Sequence, residues 1–204
     1  MEKELNDMTA EELGKLFPVE LCCYDPAWAD LFEAEKNKIT NAVGAIRIHG
    51  IHHIGSTAIP GIPAKPVIDI LIEIQKNTDL NSLKASIQDL GYYFSPQPQK
   101  PAPHMMFMKG YSKSGYAGQA FHIHIRYPED RDELFFRDYL IAHPDTARKY
   151  GNLKRRLQAE FEFDREGYTE AKTEFVRHYT RLAKEYLSFG KKKGITKENP
   201  NVNL

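Results

Sequence analysis

Cysteine is almost missing from this chain of 204 residues: there are two, Cys22 and Cys23, side by side. Adjacent cysteines bridge only with strained geometry, so no disulfide framework is available and a reducing compartment is expected. Both thiols read as buried or half-buried small side chains. Long apolar runs are missing too. None approaches the roughly 20 residues that a membrane span needs, and the first residues are acidic and polar, unlike a signal peptide. The expectation is a cytoplasmic protein with no membrane partner. Net charge is also lacking, since 28 Lys and Arg balance 28 Asp and Glu. Without a basic excess, binding to nucleic acid through phosphate contacts is not expected.

The balance hides a gradient. Residues 1–50 carry 5 basic and 10 acidic side chains, whereas residues 131–204 carry 16 and 12. A basic C-terminal third suits a small anionic ligand. The hydrophobic share of 41% and charged share of 27% are ordinary for a globular protein, and the length suits one domain with a real core.

Residues 1–8 show no structural pattern. Thr9 with Glu12 reads as a capping box for a short helix that Pro18 ends. Asp25-Pro26 starts a second helix, with Trp28 as a core anchor and Gly44 as the stop. Residues 46–54 read as a strand, followed by a Gly- and Pro-rich loop with a helical turn after Ser56. The clearest strand is Val67 to Ile74. Period-two alternation puts Ile68, Ile70, Ile72 and Ile74 on one face and Val67, Asp69, Leu71 and Glu73 on the other, which predicts a central strand. Asp79 to Leu90 is an amphipathic helix, and residues 95–103 form a proline-rich loop. Met105–Lys109 and Gln119–Tyr127 read as an antiparallel hairpin with His122, His124 and Arg126 on one face. The rest is helical: about 130–142, then Pro144 to about Phe163, then, after Gly167, Tyr168 to Phe189. These elements predict an α/β (α+β) fold, a mixed sheet with flanking helices and a helical C-terminal subregion.

Several residues are candidates for chemistry. Gly55-Ser56-Thr57 follows a strand, so its backbone N–H groups and hydroxyls suit a phosphate; a plain turn or helix cap gives the same pattern. Asp69 interrupts an apolar strand, which calls for a metal, a substrate hydroxyl or a buried salt bridge. Lys65 can reach a phosphate from the same loop or stay solvated. His122 and His124, two apart on a strand, point the same way and suit a metal or anion, or simply an exposed polar face. His52 and His53 point oppositely, so at most one joins the site. Arg137, Lys154 and Lys172 are helix charges that either contact an anion or face solvent.

The stretch from His53 to Ile70, HIGSTAIPGIPAKPVIDI, resembles the signature of the GrpB family. Tyr24-Asp25-Pro26-Ala27-Trp28, Phe121-His122-Ile123-His124, Phe136-Arg137-Asp138-Tyr139-Leu140 with His143-Pro144, and the pairs Tyr150/Lys154 and Tyr168/Lys172 resemble further family motifs. The resemblance covers about residues 20–187. It implies a domain over 20–189, an N-terminal extension over 1–19 and a flexible tail over 190–204. It also implies a nucleotidyltransferase-like fold, in which a Gly-Ser step holds phosphate and strand carboxylates hold metal. On that pattern Asp69 and Ser56 are catalytic. Gly55, Ser56, Thr57, Lys65, Arg137, Lys154 and Lys172 bind a nucleotide or another phosphorylated small molecule. Asp69, His122 and His124 hold a divalent metal, Mg²⁺ or Mn²⁺, with Zn²⁺ as a further option. The position two after Asp69, where such transferases carry a second carboxylate, is Leu71. A non-catalytic phosphate-binding module and a metal-dependent phosphoester hydrolase are the alternatives.

Overall fold

A computed structural model describes residues 5–192. Its centre is a five-stranded mixed sheet in the order β1-β2-β5-β4-β3, formed by β1 (Ile48–Ile54), β2 (Val67–Ile74), β3 (Tyr93–Ser95), β4 (Met105–Ser112) and β5 (Gly115–Arg126). The helices are α1 (Ala10–Leu16), α2 (Ala27–Val43), α3 (Leu80–Gln88), α4 (Asp132–Ala142), α5 (Pro144–Glu160), α6 (Arg165–Glu170) and α7 (Thr173–Lys192). This is the expected class: a mixed sheet, flanking helices and a helical C-terminal region.

The alternation in β2 decides the layering. Its four isoleucines are fully buried and join Ile123, Ile125 and Phe107 in the main core, against Phe32 and Ile39 of α2 and Leu83 and Ile87 of α3. β2 lies between β1, antiparallel, and β5, parallel, so it is central as expected. The opposite face of the sheet carries Asp69, Leu71, His122 and His124. Leu71 there packs with Ile54 and with Leu134 of α4.

Local signals set most boundaries. Thr9 and Glu12 form the capping box on α1. The Asp25 carboxylate accepts the Ala27 N–H at 2.9 Å to start α2, and Gly44, with φ 87°, ends it. The hairpin is longer than the sequence suggests, with β4 and β5 pairing out to Ser112 and Gly115. Other expectations need correction. β3 runs through the start of the expected proline loop. A 3-10 turn at Leu5–Asp7 corrects the structureless reading from residue 5 on, with Leu5 packed against Phe17, Val67 and Tyr111, while residues 1–4 lie outside the described residues. Gly167 lies inside α6, not between helices, because Asp164 caps its N–H at 2.8 Å; the break falls at Ala171 and Lys172. Both cysteines are exposed rather than buried or half-buried, although Cys22 forms an isolated antiparallel bridge to the buried Ala64. The helix continues through Gly190 to Lys192, and the rest of the expected tail lies outside the described residues. Among the described residues no helix is long and apolar enough to cross a membrane.

Candidate metal and phosphate site

Strand register builds the centre of the site. Asp69 pairs with Ile54 on one side and with His122 on the other, while His124 follows opposite Leu71. Gly55 therefore sits directly against Asp69. A Cβ on Gly55 would lie 2.2 Å from the Asp69 carboxylate, and its φ of 71° suits glycine. Asp69 Oδ1 is 3.2 Å from His122 Nδ1 and 3.7 Å from His124 Nε2. One ligand atom from each of the three residues lies within 4.8 Å of the others, close enough for one ion. Burial pushes the Asp69 carboxyl up, but the two histidines outweigh it and hold it well below the usual carboxylate range. Burial lowers His122 more than Asp69 raises it, which favours the neutral imidazole that a metal requires.

Tyr111 supports His122 from behind. Its hydroxyl is 2.7 Å from His122 Nε2, and the two rings stack. Simple alternation along β4 would turn Tyr111 toward the core with Phe107. A bulge between Lys109 and Tyr111 re-aims it. Gly110 makes the bulge, with φ 87° and no room for a Cβ beside Gln119. Ligating histidines are commonly held this way through their second nitrogen. The donor set therefore fits a metal.

Three lysines gather beside this centre. Lys172 lies 3.9 Å and Lys65 5.4 Å from the Tyr168 ring, and Lys154 lies 4.7 Å from the Tyr150 ring. Lys154 is buried and donates to the Pro63 carbonyl. None of the three has an ion-pair partner among the described residues. Burial, reinforced by neighbouring cations, lowers Lys154 and Lys172 to about 7 and Lys65 to about 8. The charge of Asp69 partly offsets this at Lys65 and Lys172. Tyr150, which burial raises to about 12, lines the cleft together with Ser56 and so brings the lysine-bearing helix to the Gly55-Ser56 turn.

The remaining expected residues lie elsewhere. Thr57 is 1% exposed; its hydroxyl donates to the Val67 carbonyl at 3.2 Å and contacts His53 Nε2 at 2.9 Å. It joins β1 to β2 and is occupied. Arg137 donates to the His53 carbonyl at 2.7 Å and to Asp138, away from the lysines. His52 pairs with Glu73 at 3.0 Å, so neither His52 nor His53 joins Asp69.

A cleft of about 600 Å³ opens over Gly55, Ser56, Asp69 and His124. Its far wall is α7, which contributes Arg177 and Arg181, residues that no sequence motif singles out.

The sequence of this whole frame, residues 18–182, matches the family model described as GrpB protein. The chain belongs to the GrpB family. It is 41% identical over 162 residues to a UPF0157 protein of Pseudomonas aeruginosa, covering 78% of this chain and 64% of that one. It is 33% identical over 188 residues to the UPF0157 protein YqkA of Bacillus subtilis, covering 90% and 51%. The chain thus spans about half to two thirds of the length of these relatives. The crystal structure of the conserved protein GrpB from Enterococcus faecalis superposes with a TM-score of 0.70 at 27% identity, covering 82% of this chain and 99% of that one. The GrpB match contains every residue of the Asp69 centre and the lysine cluster.

Proposed function

We propose that the protein transfers a nucleotidyl group from a nucleotide to a small-molecule acceptor, using a divalent metal held by Asp69, His122 and His124. One observation carries this reading: a metal-capable carboxylate–imidazole set stands beside one buried lysine, Lys154, and two half-buried ones, Lys65 and Lys172, none with an ion-pair partner among the described residues. An uncompensated buried cation is costly, and a bound phosphate would relieve that cost. When bound, the metal neutralises phosphate oxygens during transfer. Two nitrogens and one carboxylate suit Mn²⁺ or Zn²⁺ better than Mg²⁺, which prefers oxygen ligands.

The chain's own groups have separable tasks. Gly55 keeps the backbone close to Asp69. Ser56, which lines the cleft, offers a hydroxyl to a phosphate oxygen. Lys65 and Lys172 supply positive charge, and an arriving anion stabilises their protonated forms. Lys154, held on the Pro63 carbonyl, adds to the field from below.

A second reading has its own observation. Leu71 stands where a second metal-bridging carboxylate belongs, so hydrolysis of a phosphoester at a single metal is the alternative use of the same residues. Calorimetric titration of ATP in the presence of Mn²⁺, Mg²⁺ or EDTA, with wild type and Asp69→Asn, tests the proposal. Metal-dependent binding weakened roughly 100-fold by the substitution supports it. Binding that ignores both EDTA and the substitution leaves a phosphate-binding module, and no binding at all removes the nucleotide.

A further inference from the structure

Asp69 and His124 form one side of the cleft, and α7 forms the other. Val176, Arg177, Thr180, Arg181 and Lys184 all face inward, which is the three- and four-residue spacing of one helix face. The charges on this wall do not cancel. Lys184 is paired with Asp132 at 2.5 Å. Glu133, which lines the cleft along with Asp132 and Asp69, lies 3.6 Å from Arg126. Arg177 and Arg181 have no ion pair among the described residues. Two exposed guanidinium groups thus face the cleft with no ion-pair partner, and of its acids only Glu133 keeps a buried carboxylate oxygen without a hydrogen-bond partner among the described residues.

The pair is also set apart from the lysines. Lys172 precedes α7, and from Thr173 the helix axis advances about 6 Å to Arg177 and about 12 Å to Arg181. Phe136, Val176 and Ile54 give the cleft apolar lining. Residues four apart on a helix have Cβ atoms roughly 6 Å apart, so both guanidinium groups can grip one oxyanion. Arginine's planar fork suits a phosphate or carboxylate.

We propose that Arg177 and Arg181 form a second anion subsite, so that the cleft takes a substrate with two anionic groups separated by an apolar or planar segment. One group goes to the Asp69–lysine centre, and the other, a phosphate or carboxylate, goes to the arginine pair. This rests on the reading of the cleft as the substrate site and names the class of substrate that fills it. An amine or a neutral sugar alone leaves the arginines unused.

The probe is inorganic phosphate titrated into the full-length, metal-free protein in EDTA, followed by calorimetry and by the Nε–H signals of ¹⁵N-labelled arginine. Two equivalents are expected in wild type. The Arg177→Gln/Arg181→Gln variant should lose one, with affinity at that site falling about ten-fold or more. Lys172→Met should lose the other and leave the arginine signals responsive. Arg156→Gln, an exposed charge on α5, controls for general electrostatics. No phosphate binding, a double variant that binds like wild type, or an Arg156→Gln variant that weakens binding equally would each overturn the subsite. The metal-dependent ATP titration fails or succeeds separately: loss of that signal with the arginine response intact strikes the transfer reading and spares the subsite.

Discussion

On the sheet face covered by α2 and α3, Glu35 is 1% exposed and completely partnered. The Tyr92 hydroxyl, Lys109 and Lys38 each donate to its carboxylate at 2.9 Å. On the opposite face Lys154 is also 1% exposed, yet among the described residues its one hydrogen-bond partner is the neutral Pro63 carbonyl, and the charges around it are other cations, Lys172, Arg155 and Lys65. Both are single buried charges at comparable depth. The first is closed by its own protein, and the second is left open. Buried charge without a counter-charge carries a stability cost, and the proposed ligand would relieve that cost on the open face.

The contrast breaks most severely at Glu35. Glu35→Gln removes the carboxylate that, among the described residues, alone serves Lys38 and Lys109, and stability should fall by about 3 kcal/mol. Denaturant unfolding measures this. Burial pushes the Glu35 carboxyl up, but its three donors hold it below the ordinary value. Its contribution is therefore present above the unfolded carboxylate pKa and lost as pH falls through the folded one. A variant equal in stability to wild type would mean the network is ornamental.

Lys154→Met should act in the opposite direction, stabilising the fold by about 1 kcal/mol because a buried uncompensated cation is replaced by a side chain of similar size, while weakening phosphate binding. The pH dependence has a definite sign. Lys154 is near 7 in the folded protein and 10.5 unfolded, so between those values the unfolded chain holds the extra proton. Wild-type stability should rise with pH across that window, with a limiting slope of about 1.4 kcal/mol per unit for each such proton. The variant should lose part of that rise. Phosphate affinity has the reverse trend and should decline above pH 7, well below the range of solvent-exposed lysines. A flat profile to pH 9 would place the lysines in water.

How far these faces are legible in sequence follows from the range of the forces involved. The two faces of β2, the caps at Thr9 and Gly44, and the shared direction of His122 and His124 follow from neighbours two to four residues apart. β3 escapes because three residues at a sheet edge are too short for periodicity. The α6–α7 break escapes because Gly167 looks like a terminator, while Asp164 three residues earlier was the cap to notice. Arg137, Arg177 and Arg181 look alike as helix charges. Only tertiary packing pins the first on the His53 carbonyl and turns the others into the cleft. Thr57 is misread for a related reason: a hydroxyl in a Gly-Ser-Thr turn looks available until the Val67 carbonyl claims it.

Tyr111 sharpens the comparison on the open face. In the metal-free site a proton on His122 Nδ1 can bridge to Asp69 while Nε2 accepts from the tyrosine. A metal at Nδ1 requires the other tautomer, in which Nε2–H donates to the same hydroxyl. A hydroxyl serves both arrangements because it donates and accepts. Tyr111→Phe keeps the ring stack and removes this support. Mn²⁺ affinity by calorimetry should fall about ten-fold, with little change in the denaturation midpoint. Unchanged affinity would show that His122 is oriented by Asp69 alone.

The smallest effect should come from Thr57→Val. The hydroxyl donates to the Val67 carbonyl, so His53 Nε2 must carry the proton in their contact. Burial, the larger influence, lowers His53 to about 4 despite the charge of Asp69, so the ring is neutral and in the Nε2–H tautomer at pH 7. Valine preserves the shape and β-branching but orphans both partners, for a loss of about 1 kcal/mol. Phosphate affinity should not move, because the hydroxyl is turned into the β1–β2 junction and away from Ser56. If affinity dropped while stability held, Thr57 would belong with Ser56 in the phosphate loop, and part of the closed framework would have to be reassigned to the open face.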